Sequence, residues 1–274
     1  MELSLLSWNI AGLDLLDQVA AEPVDVALLQ EVPRPQPVGG RLLPDPTEGP
    51  WRTEGWKQRP WRTAILQVSD RVHLLEVPTG ALCGQDRQLL AASRPGTLTA
   101  ADVIGASGQR LTLVSWYATW EHPPGDTRVL GTDAAAHRLL CDVAALIDHD
   151  RGRHLVIAGD LNLLFGYGEH GGAYWADRYR SVFKRAAAMG LDMVGPQAPN
   201  GRQAQPWPAE LPCSSRNVPT YHTRQQGPAG AARQLGFVFA SRSLAERVRV
   251  TARNQVDDWG PSDHCRISID IDGE

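Results

Sequence analysis

Short apolar runs and amphipathic segments alternate along the whole chain. Residues 3–9 form an almost unbroken apolar run and read as a buried strand, and residues 24–30 (VDVALLQ) read the same way. Between them, residues 13–21 carry a helical pattern. Further strands are expected at 64–68, 72–77, 97–104 and 111–117, with Gly108-Gln109 as the hairpin connection between the last two. Residues 132–149 are the clearest helix. Thr132 suits the N-cap and Asp133 the first turn, while Ala136, Leu139, Leu140, Val143 and Ile147 trace one face. Residues 154–158 read as a strand ending in Gly-Asp, and 177–189 as a second helix stopped by Gly190. Strands at 218–223, 235–240, 249–254 and 267–271 complete the pattern. The segments 33–62 and 195–216, both rich in Pro, read as surface excursions.

About ten strands against three or four helices is too strand-rich for a doubly wound parallel sheet. Two sheets packed together, with helices outside, accommodate the count. The fold class expected is therefore α/β in the broad sense (α+β), as one domain over residues 1–274. At 274 residues and 42% hydrophobic the chain can bury an ample core, and no apolar run approaches the length of a membrane-spanning helix. A formal charge of -4 speaks against gripping nucleic acid by bulk electrostatics, although a local patch can act where net charge does not. Lys57 and Lys184 are the only lysines, an arginine excess that reads as coding bias. Cys83, Cys141, Cys213 and Cys265 are scattered without a C-x-x-C pair, so neither a zinc site nor a disulfide framework is expected. They read as reduced thiols of a cytoplasmic protein, and no leader-like segment precedes the first strand.

The residues with chemical potential stand where strands end. Asn9 closes Ser7-Trp8-Asn9-Ile10, Glu31 closes Leu28-Leu29-Gln30-Glu31, and Tyr117 closes Ser115-Trp116-Tyr117. Asp160 and Asn162 follow a strand in Gly159-Asp160-Leu161-Asn162, and Asp263 and His264 lie in Ser262-Asp263-His264 before the last one. Strand ends on a rigid scaffold present a site at its rim. Taken singly, each is equally a turn residue; Gly-Asp-Leu-Asn alone could be an Asx turn.

In this order, the set resembles the endonuclease/exonuclease/phosphatase superfamily of DNase I-like phosphodiesterases. The resemblance spans nearly the whole chain, from Ser-Trp-Asn near residue 9 to Ser-Asp-His near 263. It implies a four-layer αββα sandwich of two mixed sheets with helices outside, and a metal-dependent phosphoesterase that uses activated water. Oxygen ligands suit one Mg²⁺ or Mn²⁺ ion, with Glu31 as the best carboxylate, Asn9 beside it and Asp263 as a further partner. The resemblance further implies that Asp160 orients or deprotonates the water, that Asn162 and Tyr117 hydrogen-bond phosphoryl oxygens, and that His264 stabilises the charge of the transition state.

Two positions depart from the family pattern. Gly236, in Arg233-Gln234-Leu235-Gly236-Phe237, stands where relatives usually carry an Asp that hydrogen-bonds the catalytic His. By analogy with removal of the Asp from the serine-protease triad, its loss is expected to lower the rate by about 10³–10⁴-fold. Asp257, Asp258 or Glu246 could stand in for it, or Gly236 could mark a bulge or a close backbone approach. Tyr117 replaces the His of many phosphatase-like members.

Around this set, residues 51–62 interleave three tryptophans with four basic side chains. They either present a stacking and phosphate-gripping surface or plug a core beneath a long loop. A Gly-rich segment leading to Trp175 would overhang the site, and Arg216, His222 and Arg233 are candidate phosphate contacts. Arg178 and Arg185 share one helix face, which reads as solvated. The expected partner is a phosphate-ester substrate. Nucleic acid is one candidate without strong indication, a small phosphorylated metabolite is the runner-up, and a ligand-binding scaffold impaired by Gly236 is the rival outside catalysis.

Overall fold

The structure, a computed structural model, describes residues 2–35, 41–55, 57–81, 89–104, 110–121, 131–147 and 154–273. The first apolar run forms β1 (Leu3–Asn9), buried along nearly its whole length. A single short helix α1 (Leu16–Ala20) leads to β2 (Val26–Pro33). Then follow β3 (Leu42–Leu43), β4 (Trp61–Gln67), β5 (His73–Val77), β6 (Thr79–Ala81), β7 (Leu90–Ala92), β8 (Leu98–Ile104) and β9 (Arg110–Tyr117). The second half comprises α2 (Thr132–Ile147), β10 (Leu155–Asp160), α3 (Ala173–Ala188), β11 (Leu191–Gly195), β12 (Gly236–Ser241), β13 (Val248–Arg253) and β14 (Arg266–Ile271).

The strands form one sheet in the order β13-β14-β1-β2-β4-β3, a second in the order β11-β12-β10-β9-β8-β5, and a small β6-β7 pair. Leu5, Val26, Leu28 and Ile269 of the first sheet meet Leu113, Val156, Ala158 and Val238 of the second in one buried cluster. The outer face of the second sheet, with Trp116, Ile157, Phe237 and Phe239, is covered by Leu139, Leu140 and Val143 of α2 and Tyr179 and Val182 of α3. The outer face of the first carries Trp8, Leu29 and Ala64 under Leu16 and Val19 of α1. These are the four layers expected, with α1 a thin outer one.

Several expectations shift. The helix read over 13–21 shrinks to five residues, because Leu13 is exposed and Pro23 follows closely. Residues 218–223 are not a strand. Thr220 and Tyr221 bond Arg233 O and the segment touches sheet geometry only at Tyr221, which bridges Arg233 and His264. The short strands β3, β6, β7 and β11 carry too little periodicity to be read. Arg178 and Arg185 do not face solvent alone: Arg178 pairs with Asp133, and Arg185 reaches His137 O and Cys141, tying α3 to α2. The proposed Gly108-Gln109 turn lies outside the described residues, yet the flanking β8 and β9 pair antiparallel over their length.

Candidate active site

The register explains why residues so far apart in sequence share one rim. β1 and β2 run parallel, so their last residues come together, Asn9 opposite Gln30. β9 and β10 also run parallel, and Tyr117 pairs with Asp160. β12 is antiparallel to β10 and begins there, with Gly236 opposite Asp160. The segment before β14 delivers Asp263 and His264 to the same edge. Trp8 Nε1 donates to His264 O at 2.9 Å, and Ser262 Oγ donates to Asn9 O at 2.7 Å.

Local backbone features aim the side chains. The register of β2 against β4 shifts between Leu29 and Val32, and Glu31 at that bulge has φ of 53°. Asn162 has φ of 51°, in a turn closed by its amide on Asp160 Oδ1 at 2.8 Å. Gly159 is required by close approach: a Cβ there would lie 1.9 Å from Trp116 O.

Asn9 is the hub. Its Nδ2 donates to Glu31 Oε1 at 3.1 Å and to Asp160 Oδ2 at 3.0 Å, while its Oδ1 accepts from Ala11 N at 2.9 Å. Asn162 Nδ2 donates to Ala118 O at 3.0 Å, and the Tyr117 hydroxyl reaches Glu31. His264 Nε2 lies 3.7 Å from Asp160 Oδ2 and 3.8 Å from Asp263 Oδ1. The structure thus brings together Asn9, Glu31, Tyr117, Asp160, Asn162, Asp263 and His264.

Burial dominates the electrostatics. Asp160 is pushed up to about 7 by desolvation, reinforced by the charges of Glu31 and Asp263 against the hydrogen bonds from Asn162 and Asn9. Desolvation raises Glu31 and Asp263 as well. His264 falls to about 3, because burial opposes its cation and His222 adds like charge. The ring is therefore a neutral imidazole at neutral pH.

Of the outer candidates, His222 and Arg233 border the cluster. His222 N donates to Asp263 O at 3.0 Å, and Arg233 pairs with Glu169 at 3.3 Å beside Tyr221. Arg216 is placed elsewhere: both its Nε and Nη2 bond Ala198 O, clamping the Pro-rich loop. Trp175 packs against the core beneath α3 with Tyr179 and lies under Arg178. The tryptophan-rich stretch divides. Trp51 is buried with its indole N–H on Val32 O, Trp61 is half-buried under Arg59, and Trp56 lies outside the described residues.

Sequence reasoning missed Tyr221, whose ring stands 5.0 Å from that of His264. It also missed Gln30, which donates to Ser115 Oγ at 3.0 Å and so bolts the two sheets together beneath the site. Gln30 precedes Glu31 in a strand, and that adjacency was the available signal. Gly236 leaves a void of about 10 Å³, room for one water, lined by Thr220, Gln30, Asp160 and His264. Among the described residues the carboxylates in reach of the His264 ring are Asp160 and Asp263. Glu246 sits past the far end of β12, and Asp258 presents its backbone carbonyl to Arg266.

The donor set fits a hard divalent cation. Asp263 Oδ1 is buried with no hydrogen-bond partner, and Glu31 is a desolvated carboxylate facing the charge of Asp263. Among the described residues no three His, Cys, Asp or Glu side chains converge on one point. Mg²⁺ does not need such a cage, since it keeps several waters and takes one or two carboxylates with substrate phosphate.

A family model described as Endonuclease/Exonuclease/phosphatase family matches residues 6–264. No curated protein sequence matches the chain. Among solved structures, an AP endonuclease from Leishmania major superposes with a TM-score of 0.62 at 16% identity, covering 100% of this chain and 88% of that one. An AP endonuclease from Archaeoglobus fulgidus gives 0.62 at 16% identity, covering 99% and 100%. A 3'-5' exonuclease from Neisseria meningitidis gives 0.54 at 17%, covering 98% and 100%. At such identities the superpositions establish the DNase I-like fold. With the family match running from β1 to His264, the chain belongs to the endonuclease/exonuclease/phosphatase family, a group of phosphoester hydrolases.

Proposed function

We propose that this protein hydrolyses a phosphate ester with the help of Mg²⁺ or Mn²⁺, using water as the nucleophile and forming no covalent intermediate. Asp160 carries the reading: it is buried, hydrogen-bonded by Asn9 and Asn162, and pushed up to about 7 beside His264. A carboxylate with proton affinity near neutrality is suited to take a proton from an attacking water. Glu31 and Asp263, with Asn9, would hold the cation. When bound, it neutralises phosphate oxygens and draws the surrounding carboxylates toward their charged forms.

The remaining roles fall to the chain's own groups. Asn162 Nδ2 keeps a second hydrogen beyond its bond to Ala118 O and can donate to a phosphoryl oxygen. Tyr117 is held protonated by burial and the charge of Glu31, and its single O–H, which reaches Glu31, would have to turn from that carboxylate to donate to a phosphoryl oxygen. His264, held neutral by burial, would stabilise the developing negative charge from a fixed position through a ring N–H. The test is turnover of bis(4-nitrophenyl) phosphate. Hydrolysis is expected with Mg²⁺ or Mn²⁺, lost with EDTA, and lowered about 10²–10⁴-fold in Asp160→Ala. Absence of turnover with every divalent cation would sink this reading.

Gly236 favours a second reading, a ligand-binding scaffold with impaired chemistry, because the side of His264 toward β12 offers a void in place of a carboxylate. In that case the wild type is inert and Gly236→Asp creates turnover. The new Cβ would press on the flexible Ile267 Cδ1 at 2.8 Å, which side-chain movement can relieve.

A further inference from the structure

His264 is braced in this chain through its backbone. The side of the ring toward β12 meets the void at Gly236, and the nearest carboxylate oxygens stand 3.7 and 3.8 Å from Nε2, beyond hydrogen-bond distance. The main chain is tied twice. His264 N donates to Ser262 Oγ at 3.1 Å, and His264 O accepts from Trp8 Nε1 at 2.9 Å. Trp8 is buried and immediately precedes Asn9 in β1. Its indole is therefore the strut between the first sheet and His264.

That indole is held in turn by an arginine. Ser7 pairs with Ile267 across β1 and β14, and Ile267 enters the core between the sheets. The next residue along each strand, Trp8 and Arg266, faces the other way, toward the outer layer. The Arg266 guanidinium carbon stands 4.1 Å from the centroid of the Trp8 ring, and Arg266 is only 5% exposed. Three contacts fix it there. Its Nε lies 3.0 Å from Glu22 Oε1, its Nη1 donates to Asp258 O at 2.9 Å, and Gly260 makes room for it, since a Cβ there would lie 3.3 Å from both Nη atoms. Glu22, just beyond α1, also accepts from Arg253 Nη1 at 2.6 Å.

A buried guanidinium is a costly cover for an indole. Arg253 and Arg266 pair in register across β13 and β14, which sets two cations opposite each other, and desolvation works against the charge of Arg266. A buried ion pair adds little stability beyond what an apolar side chain of similar volume supplies. What an apolar chain lacks is a planar cation pinned at its edges, which fixes the orientation of the ring it stacks on.

We propose that Arg266, clamped by Glu22 and Asp258 O, is a positioning residue: it locks the Trp8 indole onto the His264 carbonyl and so keeps the imidazole beside Asp160 where Gly236 gives it no side-chain brace. The consequence for turnover rests on the hydrolase reading above, while the lock itself does not.

Arg266→Met keeps the side-chain volume, and Glu22 keeps Arg253 as its partner, so no carboxylate is left unpaired. The test compares this variant with the wild type by urea midpoint, by NMR hydrogen exchange of the Trp8 indole N–H (the signal lost in Trp8→Phe), and by kcat and KM for bis(4-nitrophenyl) phosphate where both proteins are fully folded. The midpoint should equal or exceed the wild type's, indole exchange should quicken about tenfold, and kcat should fall roughly 10–100-fold with KM unchanged. Trp8→Phe should lower kcat to a similar extent, and the double variant should be no worse than either single one, because both break the same strut. Arg249→Ala, an exposed arginine of β13 paired with Asp272, should change nothing. A merely structural Arg266 would lower the midpoint and leave indole exchange and kcat of the folded protein as they were. That outcome, or wild-type kcat in Arg266→Met, overturns the proposal and leaves the hydrolase reading standing. If Arg266→Met does not fold, Arg266→Lys, which keeps the charge and loses the planar stack, is judged by the same exchange and kcat. If the wild type leaves the reporter intact, the hydrolase reading falls and indole exchange decides the lock, with an unchanged rate overturning it.

Discussion

Asp160 holds the sharpest conflict between burial and charge in the molecule. In the folded chain its proton affinity rises to about 7, against an ordinary value of 3.8. The folded state therefore keeps a proton that the unfolded state releases between those values, and ionisation subtracts stability as pH rises from about 4 to 7. Asp160→Asn has no such titration. In metal-free urea unfolding, the variant should gain on the wild type by a few kcal/mol as pH rises through this window, with a flat difference below about pH 4. A difference independent of pH would show that Asp160 ionises at no cost. His264 acts with the opposite sign: lowered to about 3, it adds stability as pH rises from about 3 toward 6.5. That contribution is common to both proteins and cancels in the comparison. Sequence alone named Asp160 and His264, but it could not say that one would be driven up and the other down. Those shifts follow from desolvation, which exists only once the two sheets close over the cluster.

Among elements, β10 shows how a strand is cut to deliver a side chain. Its first residues are fully apolar and buried between the sheet-sheet core and the helices, and it ends in Gly159-Asp160. Glycine is needed because the neighbouring β9 backbone occupies the space a Cβ would take. Gly159→Ala should destabilise the fold by about 3 kcal/mol, read from the urea midpoint, with Asp160 displaced from Asn9. An unchanged midpoint would mean that β10 can slide without strain. The strands with long apolar runs were legible to within three residues at each end, α2 to within two, and the end of α3 at Gly190, whose φ is 82°. The segment 218–223 was not. Its apolar and β-branched residues look like a strand, yet its amides bond Arg233 O and its role is to place Tyr221 against His264.

For the whole molecule, the consequence of gathering Glu31, Asp160 and Asp263 at one rim is a fold that carries uncompensated desolvation at its functional edge. A divalent cation should relieve it. Added Mg²⁺ should raise the thermal midpoint in proportion to occupancy, equivalent to about 2.7 kcal/mol at a hundredfold excess over Kd, and Glu31→Gln should remove most of that gain. A midpoint insensitive to Mg²⁺ and Mn²⁺ would remove the cation from the proposed chemistry. Among the described residues no helix is long and apolar enough to cross a membrane, in keeping with the absence of a long apolar run. The sequence by itself determined which residues stand at the ends of the long strands and that the strands outnumber what one doubly wound sheet holds, because periodicity and chain order are local properties. Tertiary structure alone decided the rest. Parallel pairing of β1 with β2 and of β9 with β10 brought distant strand ends to one rim. Closure of the sheets set the proton affinities, and the packing of the Pro-rich loop sent Arg216 to Ala198 O. Such outcomes depend on which groups meet across the fold, and no local pattern encodes a partner hundreds of residues away.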